Sequence, residues 1–172
     1  MATGIIQLNP TIKALKDIEV LDLKNPDMKC QNLAPFPDGL IGATGAFVNN
    51  SIAVVCGGAK GTVFGDSWDA FGHATDDCYS ITKNSTTFHQ SLDTKRIWAT
   101  SIAVNNTLWI LGGRKSSASG SLLNSTEYLD SGIDLPIPLP LSSSAIVELE
   151  TGDYPYILIG GMGGQQKSDH QY

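Results

Sequence analysis

Three short apolar runs, each ending at a pair of glycines, dominate the hydrophobic pattern of this chain. The runs are SIAVVC before Gly57-Gly58, TLWIL before Gly112-Gly113 and YPYILI before Gly160-Gly161. The pairs recur at intervals of roughly 50 residues, a period typical of repeated four-stranded units rather than of helical repeats. The pattern therefore predicts a repeat protein made of strands.

A second apolar segment and a polar turn precede each run. The segments read GAFVNN, SIAVNN and SAIVELETGD, so each repeat begins with a predicted β-hairpin. Asparagine tolerates the positive φ angles that tight hairpin turns require. Glycine pairs at the ends of the second strands are expected where the chain turns at positive φ and backbones approach closely. We expect the second strand of each hairpin to lie nearest the centre of the assembly.

Long polar loops follow the first two glycine pairs. They read AKGTVFGDSWDAFGHATDD and RKSSASGSLLN, and each leads to a third strand, CYSIT at 78–82 and TEYLD at 126–130. Weaker fourth segments, TTFHQSL and IDLPIPLP, complete the units. Residues 11–24 alternate more like strands than like a helix. Four antiparallel strands bury both faces only by stacking on neighbouring units, which predicts an all-β radial assembly.

The segment SIAVNNTLWILGGRKSSASGSLLNSTEYLD resembles a kelch repeat. The resemblance rests on the glycine pair after an apolar strand, on the downstream tyrosines Tyr79 and Tyr128, and on the period near 50, and it covers residues 17 to about 161. The family also places a tryptophan in the fourth strand, where this chain has Cys30, Phe88 and Leu135. Kelch repeats form β-propellers, so the resemblance implies an all-β, incomplete β-propeller of four-stranded blades.

The resemblance also implies a division of the chain into blades. Residues 1–16 form a poorly defined N-terminus, 17–35 the outer half of a blade, 41–92 and 97–140 two full blades, and 142–172 the inner half of a further blade. Propellers have about four to eight blades. We therefore expect a fragment of a larger propeller, whose missing blades come from a longer chain or an oligomer. Its open strand edges would favour aggregation.

Composition narrows the class of protein. The chain has 172 residues, 41% of them hydrophobic, which argues for a folded domain with a core. A formal net charge of −6 with scattered basic residues argues against nucleic acid as a partner. No run is long enough to span a membrane. The start, MATGIIQLNPTIKALK, does not resemble a signal peptide, because no basic residue precedes its short apolar piece.

Two cysteines are predicted to form a disulfide. Cys56 ends the second strand and Cys78 begins the third strand of one blade, so adjacent antiparallel strands bring them together. The alternative is a pair of buried free thiols in a cytosolic protein. Cys30 is left over for pairing elsewhere.

Four N-glycosylation sequons, like the predicted disulfide, favour export from the cell. They begin at Asn49, Asn84, Asn105 and Asn124. Asparagine, serine and threonine also favour turns for purely conformational reasons. Taken with the cysteines, the sequons favour an extracellular or secreted glycoprotein over the alternative, a cytoplasmic protein, and the chain looks most like the secreted or ectodomain kelch proteins of invertebrates.

Patterns for catalysis, metals and cofactors are not found in the sequence. GGMGGQQKS lacks a phosphate-loop glycine, since Gln166 stands where that motif needs it. His73, His89 and His170 have no histidine or cysteine at metal-ligand spacing, and the aspartates of the first long loop do not match a calcium loop. We therefore expect no catalytic residue, no metal site and no cofactor.

The expected function is non-catalytic binding of a protein partner through the inter-strand loops. The first loop carries Phe64, Trp68 and Phe71 among small polar residues, and loop aromatics are enriched at protein contacts. The same side chains would alternatively cover the end of the blade. Two other functions stay open: the substrate-recognition part of a cytosolic ubiquitin-ligase adaptor, although no helical BTB-like region is present, and a fragment of a galactose-oxidase-like enzyme, whose copper ligands no motif here matches.

Overall fold

A computed structural model describes residues 5–8, 11–20, 24–25, 31–64, 69–115, 121–129, 134–137, 140–149 and 156–163 of the chain. Within these ranges the protein is all-β, with several small antiparallel sheets, none of them closed, and one short 3-10 helix, Asp69–His73. The strands are β1 (Ile5–Leu8), β2 (Thr11–Ala14), β3 (Glu19–Val20), β4 (Gln31–Asn32), β5 (Leu40–Ile41), β6 (Thr44–Phe47), β7 (Ala53–Cys56), β8 (Ala59–Lys60), β9 (Val63–Phe64), β10 (Asp77–Ile81), β11 (Thr86–Ser91), β12 (Thr100–Val104), β13 (Thr107–Leu111), β14 (Ser125–Tyr128), β15 (Asp134–Pro136), β16 (Leu141–Ser142), β17 (Ala145–Glu148), β18 (Tyr156–Ile159) and β19 (Met162–Gly163).

Two four-stranded antiparallel sheets form the body of the protein. We call them the first sheet, with the order β6-β7-β10-β11, and the second sheet, with the order β12-β13-β14-β15. Each begins with the predicted hairpin. The turn between β12 and β13 consists of Asn105 and Asn106, at φ angles of 50° and 64°, and Asn49 Oδ1 accepts hydrogen bonds from the backbone N of Ser51 and Ile52 in the other turn. Residues 100–111 thus form a β-hairpin, as the apolar runs on either side of the asparagines predict.

Two half-sheets flank these full sheets along the chain. The hairpin β17–β18 has the order of the two leading strands of a sheet, and β3 pairs with β4 as the two trailing strands do. Residues 1–16, for which the sequence predicts no defined element, contain the hairpin β1–β2, in which Ile5 lies opposite Ala14 and Leu8 opposite Thr11. Strand β2 also pairs with β9.

The glycine pairs occupy equivalent places in the successive units. Their φ angles are 66° and 89° at Gly57-Gly58, 61° and 95° at Gly112-Gly113, and 69° and 98° at Gly160-Gly161. These values confirm the predicted turn at positive φ, a backbone conformation that residues other than glycine rarely adopt.

Backbone hydrogen bonds around the first two pairs repeat as well. Gly58 N donates to Arg96 O and Gly113 N donates to Leu141 O, both at 2.8 Å. Thr75 N donates to Gly58 O and Leu123 N to Gly113 O, both at 2.9 Å. The first and second sheets are therefore joined to the segments after them in the same way.

The strands that meet between neighbouring units are the first strands of each hairpin. Strand β6 contacts β12, and β12 in turn contacts β17; Thr44 Oγ1 lies 2.8 Å from Ser101 Oγ across the first of these contacts. The expectation that the second strand lies innermost is wrong. Hydrogen bonds also join the residues that precede successive first strands. Trp98 N donates to Gly42 O and Ser143 N donates to Trp98 O, both at 2.8 Å.

The core lies between stacked sheets. In β7, Val54 and Cys56 face the second sheet and pack with Leu108 and Ile110. The other face of the first sheet, with Ala53, Val55, Tyr79 and Ile81, packs against Ile18 and Phe36 of the preceding half-sheet. All four residues of β7 are consequently buried, as expected for a strand covered on both faces.

Candidate binding loops at one end of the sheets

The antiparallel order gives each sheet two chemically different ends. Tight turns close the hairpins at 48–52, 82–85 and 105–106, and we call this end the turn end. The long connections at 57–76 and 112–124 leave from the opposite end, which we call the loop end. Loops are the usual carriers of binding residues on a rigid scaffold, so the loop end is the candidate functional site.

A disulfide fixes the base of the first long loop. Cys56 and Cys78 are paired opposite each other in β7 and β10, with a Cα–Cα distance of 4.0 Å, and their sulfur atoms are bonded. This confirms the disulfide that the sequence predicts. With 22 residues of separation, closure of the loop in the unfolded chain accounts for about 3 kcal/mol in an entropic picture. Cys30 lies outside the described residues.

An ion pair lies next to the disulfide at the loop end. Lys60 Nζ is 2.8 Å from Asp77 Oδ2 and 3.6 Å from an Asp38 carboxylate oxygen, and the Tyr79 hydroxyl donates to Asp77 Oδ2 at 3.2 Å. The hydrogen bond from Lys60 lowers the pKa of Asp77, and the same bond raises the pKa of Lys60. Burial raises the pKa of Tyr79. The cluster thus joins β8 to β10 through an ionised carboxylate.

The three aromatic residues predicted for the binding surface have different outcomes. Phe64 is only 1% exposed and packs with Ala14 and Ile41, while its ring meets that of His73 edge-on at 5.4 Å. It is a core residue that holds the loop down and does not contact solvent. Trp68 lies outside the described residues, and for Phe71 the structure describes only the backbone, within the 3-10 helix.

An exposed apolar residue that sequence reasoning missed lies beside Phe64. Val63 is 58% exposed in β9, and Gly72 and His73 at the end of the 3-10 helix are exposed as well. In the second loop Lys115 is exposed. The strand alternation of Val63 and Phe64 was the available signal, because one of two successive strand residues points away from the core.

Two of the residues noted in the predicted fourth strands, Phe88 and Leu135, lie in described strands. Phe88 is exposed in β11, with its ring edge-on to that of Tyr79 at 6.3 Å. Leu135 contributes its backbone to β15, and its side chain is not described. Phe88 therefore lies on the fourth strand of the first sheet with its side chain largely exposed.

All four sequon asparagines are exposed. Asn49, Asn84 and Asn105 lie at the turn end, and Asn124 lies directly before β14 at the loop end. The bonds that Asn49 accepts use its Oδ1 atom, whereas a glycan is attached through Nδ2. A shallow open depression between the two Asn-Asn turns is lined by Asn49 and Asn105, together with Phe47.

Other kinds of site are not found within the described ranges. There, no three His, Cys, Asp or Glu side chains come together as metal ligands, and no helix is long and apolar enough to cross a membrane. His89 Nδ1 lies 3.0 Å from Ser80 Oγ, an ordinary contact between neighbouring strands. Comparison of the sequence with protein-family models and with curated proteins finds no match.

Proposed function

We propose that this protein is a non-catalytic binding module of the kelch β-propeller type, which contacts a protein partner through its loop end. The observation that carries the proposal is the placement of the two long loops. They leave equivalent, adjacent sheets at the same end, and matching backbone hydrogen bonds from Gly58 and Gly113 anchor their bases.

The propeller architecture is supported by the contacts between units. Successive hairpins are related by the same glycine conformation, the same backbone hydrogen bonds and contact between their first strands. Four-stranded units that repeat these relations about one axis generate a radial arrangement of sheets. The kelch-type tyrosine Tyr79 lies in the third strand and is tied to Asp77 at the loop end.

The proposed contact surface joins the exposed part of the first long loop to that of the second. It comprises Val63, His73 and Lys115, together with Trp68 and Phe71 from the sequence prediction. Exposed apolar and aromatic side chains held on a rigid base bind partners with little loss of conformational entropy. The disulfide and the Lys60–Asp77 ion pair provide that base.

Binding through the loop end predicts a one-sided pattern of mutational effects. A partner captured by the wild-type protein is identified by mass spectrometry and purified, and its affinity is measured by calorimetry. Val63→Asp and Trp68→Ala are expected to weaken binding by at least about tenfold, since central apolar contacts contribute about 1.4 kcal/mol or more. Lys83→Ala, in an exposed turn at the opposite end, is the matched control and is expected to bind as the wild type does. Equal loss in all three variants, at unchanged thermal stability, would contradict the proposal.

We further propose that the protein is an extracellular or secreted glycoprotein. The disulfide between Cys56 and Cys78 fits an oxidising compartment, and the exposure of all four sequon asparagines leaves each accessible to modification. Three glycans at the turn end would leave most of the loop end open to a partner.

Glycosylation predicts a mass change on enzymatic removal of N-glycans. The protein isolated from its own cells is expected to lose mass on treatment with peptide N-glycosidase F, with Asn49, Asn84 and Asn105 converted to aspartate. The matched control is a triple Asn→Gln variant at these positions, which should show no shift beyond that of Asn124. Unmodified asparagines would favour the cytoplasmic alternative and with it the ubiquitin-ligase adaptor.

A further inference from the structure

We propose that two copies of this chain complete each other's half-sheets, with β18 of one copy pairing in antiparallel fashion with β3 of the second copy. This pairing follows from the repeat of the sheets and from the exposed edges of the half-sheets, and it needs no contribution from the loop end.

The two half-sheets are complementary in strand order. In the full sheets the second strand pairs with the third, as β7 does with β10 and β13 with β14. The hairpin β17–β18 supplies a first and a second strand, and β3–β4 supplies a third and a fourth. Within the described residues of one chain, β18 pairs only with β17, and β3 only with β4. Joining β18 to β3 of another copy therefore restores the order of a full sheet.

Equivalent hydrogen bonds identify β3 as a third strand. Leu40 N donates to Leu15 O at 3.2 Å, as Arg96 N does to Thr75 O at 3.4 Å and Leu141 N to Leu123 O at 3.2 Å. The three acceptors are thus equivalent residues. Third strands follow all three: β3 comes after Leu15, β10 after Thr75 and β14 after Leu123.

The same equivalences fix the register of the proposed pairing. Cys56, Leu111 and Ile159 each precede a glycine pair. Cys56 lies opposite Cys78, and Leu111 lies opposite Thr126. Cys78 and Thr126 each come three residues after their equivalent acceptor, Thr75 or Leu123, and the residue three positions after Leu15 is Ile18. Ile159 should therefore lie opposite Ile18 of the second copy. Since Val54 lies opposite Ser80, Ile157 should lie opposite Val20 of the second copy.

Exposed apolar side chains mark both edges. Ile157 and Ile159 are 42% and 53% exposed, whereas their counterparts Val54 and Cys56 in the first sheet are buried. Val20 on β3 is exposed as well, and so are Val147 and Leu149 of the C-terminal half-sheet. Val147 lies opposite Ile157 in the hairpin β17–β18, so these exposed apolar side chains share one face, and an exposed apolar patch of this kind marks an interaction surface.

The core also shows where the two isoleucines would pack. Between the first and second sheets, Val54 and Cys56 pack beside Cys78 and Leu92. On the other face of the first sheet, Ile18 and Phe36 stand in the places of Cys78 and Leu92. Ile157 and Ile159 of the second copy would stand in the places of Val54 and Cys56 and complete that layer. Side-chain type as well as strand order thus identifies β18 of a second copy as the strand that pairs with β3.

Two such junctions close a symmetric assembly. The described residues of one chain form two four-stranded sheets and two complementary halves, so these residues of a two-fold dimer would form six four-stranded sheets. That number lies within the range of about four to eight found for closed propellers. Two-fold dimers are also the commonest closed assemblies of identical chains.

Cysteine crosslinking tests this pairing. Val20→Cys and Ile157→Cys are made separately in a Cys30→Ser background; both sites are exposed, so folding should be preserved. After mild oxidation, an equimolar mixture of the two variants is expected to yield a dimer that reduction reverses and a linked peptide joining positions 20 and 157. A mixture of Val20→Cys with Val147→Cys is the matched control, because β17 does not adjoin β3 in the proposed sheet. Sedimentation of the wild type should give twice the chain mass of 18.3 kDa.

Several outcomes would overturn the proposal. A wild-type chain that sediments as a monomer at about 100 µM, or as an open series of larger oligomers, would do so. So would equal crosslinking in the control mixture. A linked peptide formed only within single chains of the Val20→Cys/Ile157→Cys double variant would show that one chain closes on itself. Val63→Asp should leave the crosslink unchanged, so loss of partner binding and loss of the dimer can be told apart.

Discussion

Replacing Arg96 by methionine is expected to lower the free energy of unfolding by about 3–5 kcal/mol, the usual cost of removing one partner of a buried ion pair. The Arg96 side chain is fully buried, and its Nη2 lies 2.9 Å from Glu127 Oε2, itself almost fully buried. Without the guanidinium, the carboxylate of Glu127 would remain in the core with no counter-charge. A methionine side chain fills similar volume, so little of the loss would come from a cavity.

The Arg96–Glu127 ion pair connects the end of the first sheet to the middle of the second. Arg96 Nη1 donates to Gly112 O at 3.0 Å and to Ser125 O at 3.4 Å, and Glu127 also accepts a short hydrogen bond from Asp93 N. The guanidinium therefore holds the second glycine pair and β14 together with the segment that leaves β11. Its loss should loosen the contact between the two sheets.

A double variant separates the charge from the packing. Arg96→Met/Glu127→Leu removes both charges, and we expect it to recover most of the stability lost in Arg96→Met, because an apolar pair of similar volume often replaces a buried ion pair without loss. Urea denaturation followed by tryptophan fluorescence measures both. A loss below about 1 kcal/mol in the single variant, the range of exposed pairs, would show that water reaches the pair in solution.

Local features of the fold were predictable from the sequence because they depend on neighbouring residues. The hairpins follow from apolar alternation around asparagine turns, as at Asn105-Asn106. The glycine pairs follow from the need for positive φ. The Cys56–Cys78 bond follows from the order of two strands in one hairpin-like unit. Each of these inferences uses a short range of chain and a strong stereochemical preference.

Features that depend on packing between distant segments were not predictable in this way. Arg96 and Glu127 are charged residues of types that are seldom fully buried, and nothing in the local sequence pairs them across 31 positions. The sequence left open whether Phe64 belongs to a contact surface or covers the end of a blade, and its burial is decided by the hairpin β1–β2, which covers it through the pairing of β2 with β9. The position of the first strands between units also depends on how whole sheets meet, not on composition.

The second large effect is expected at the glycine pair of the second sheet. In Gly112→Ala, the new Cβ would lie 2.3 Å from the backbone oxygen of Leu141, at a φ angle of 61°. The positive φ angle costs about 1–2 kcal/mol for an L-residue, and forcing the backbone of the next segment away adds about 1–3 kcal/mol. We therefore expect the free energy of unfolding to fall by about 2–5 kcal/mol.

Gly160→Ala is the matched control because the backbone conformation is nearly the same and the surroundings differ. Gly160 has a φ angle of 69°, and a Cβ built there meets nothing within 4 Å. Only the conformational cost of about 1–2 kcal/mol should remain, when urea denaturation is followed at dilutions where the chain is monomeric. Equal losses in the two variants would show that φ alone selects these glycines. A larger loss at Gly112 would show that the backbone of the next segment also selects glycine at this position. In the proposed dimer, the Leu40 carbonyl of the second copy would lie beside Gly160 as the Leu141 carbonyl lies beside Gly112. Gly160→Ala should then weaken association of the two copies.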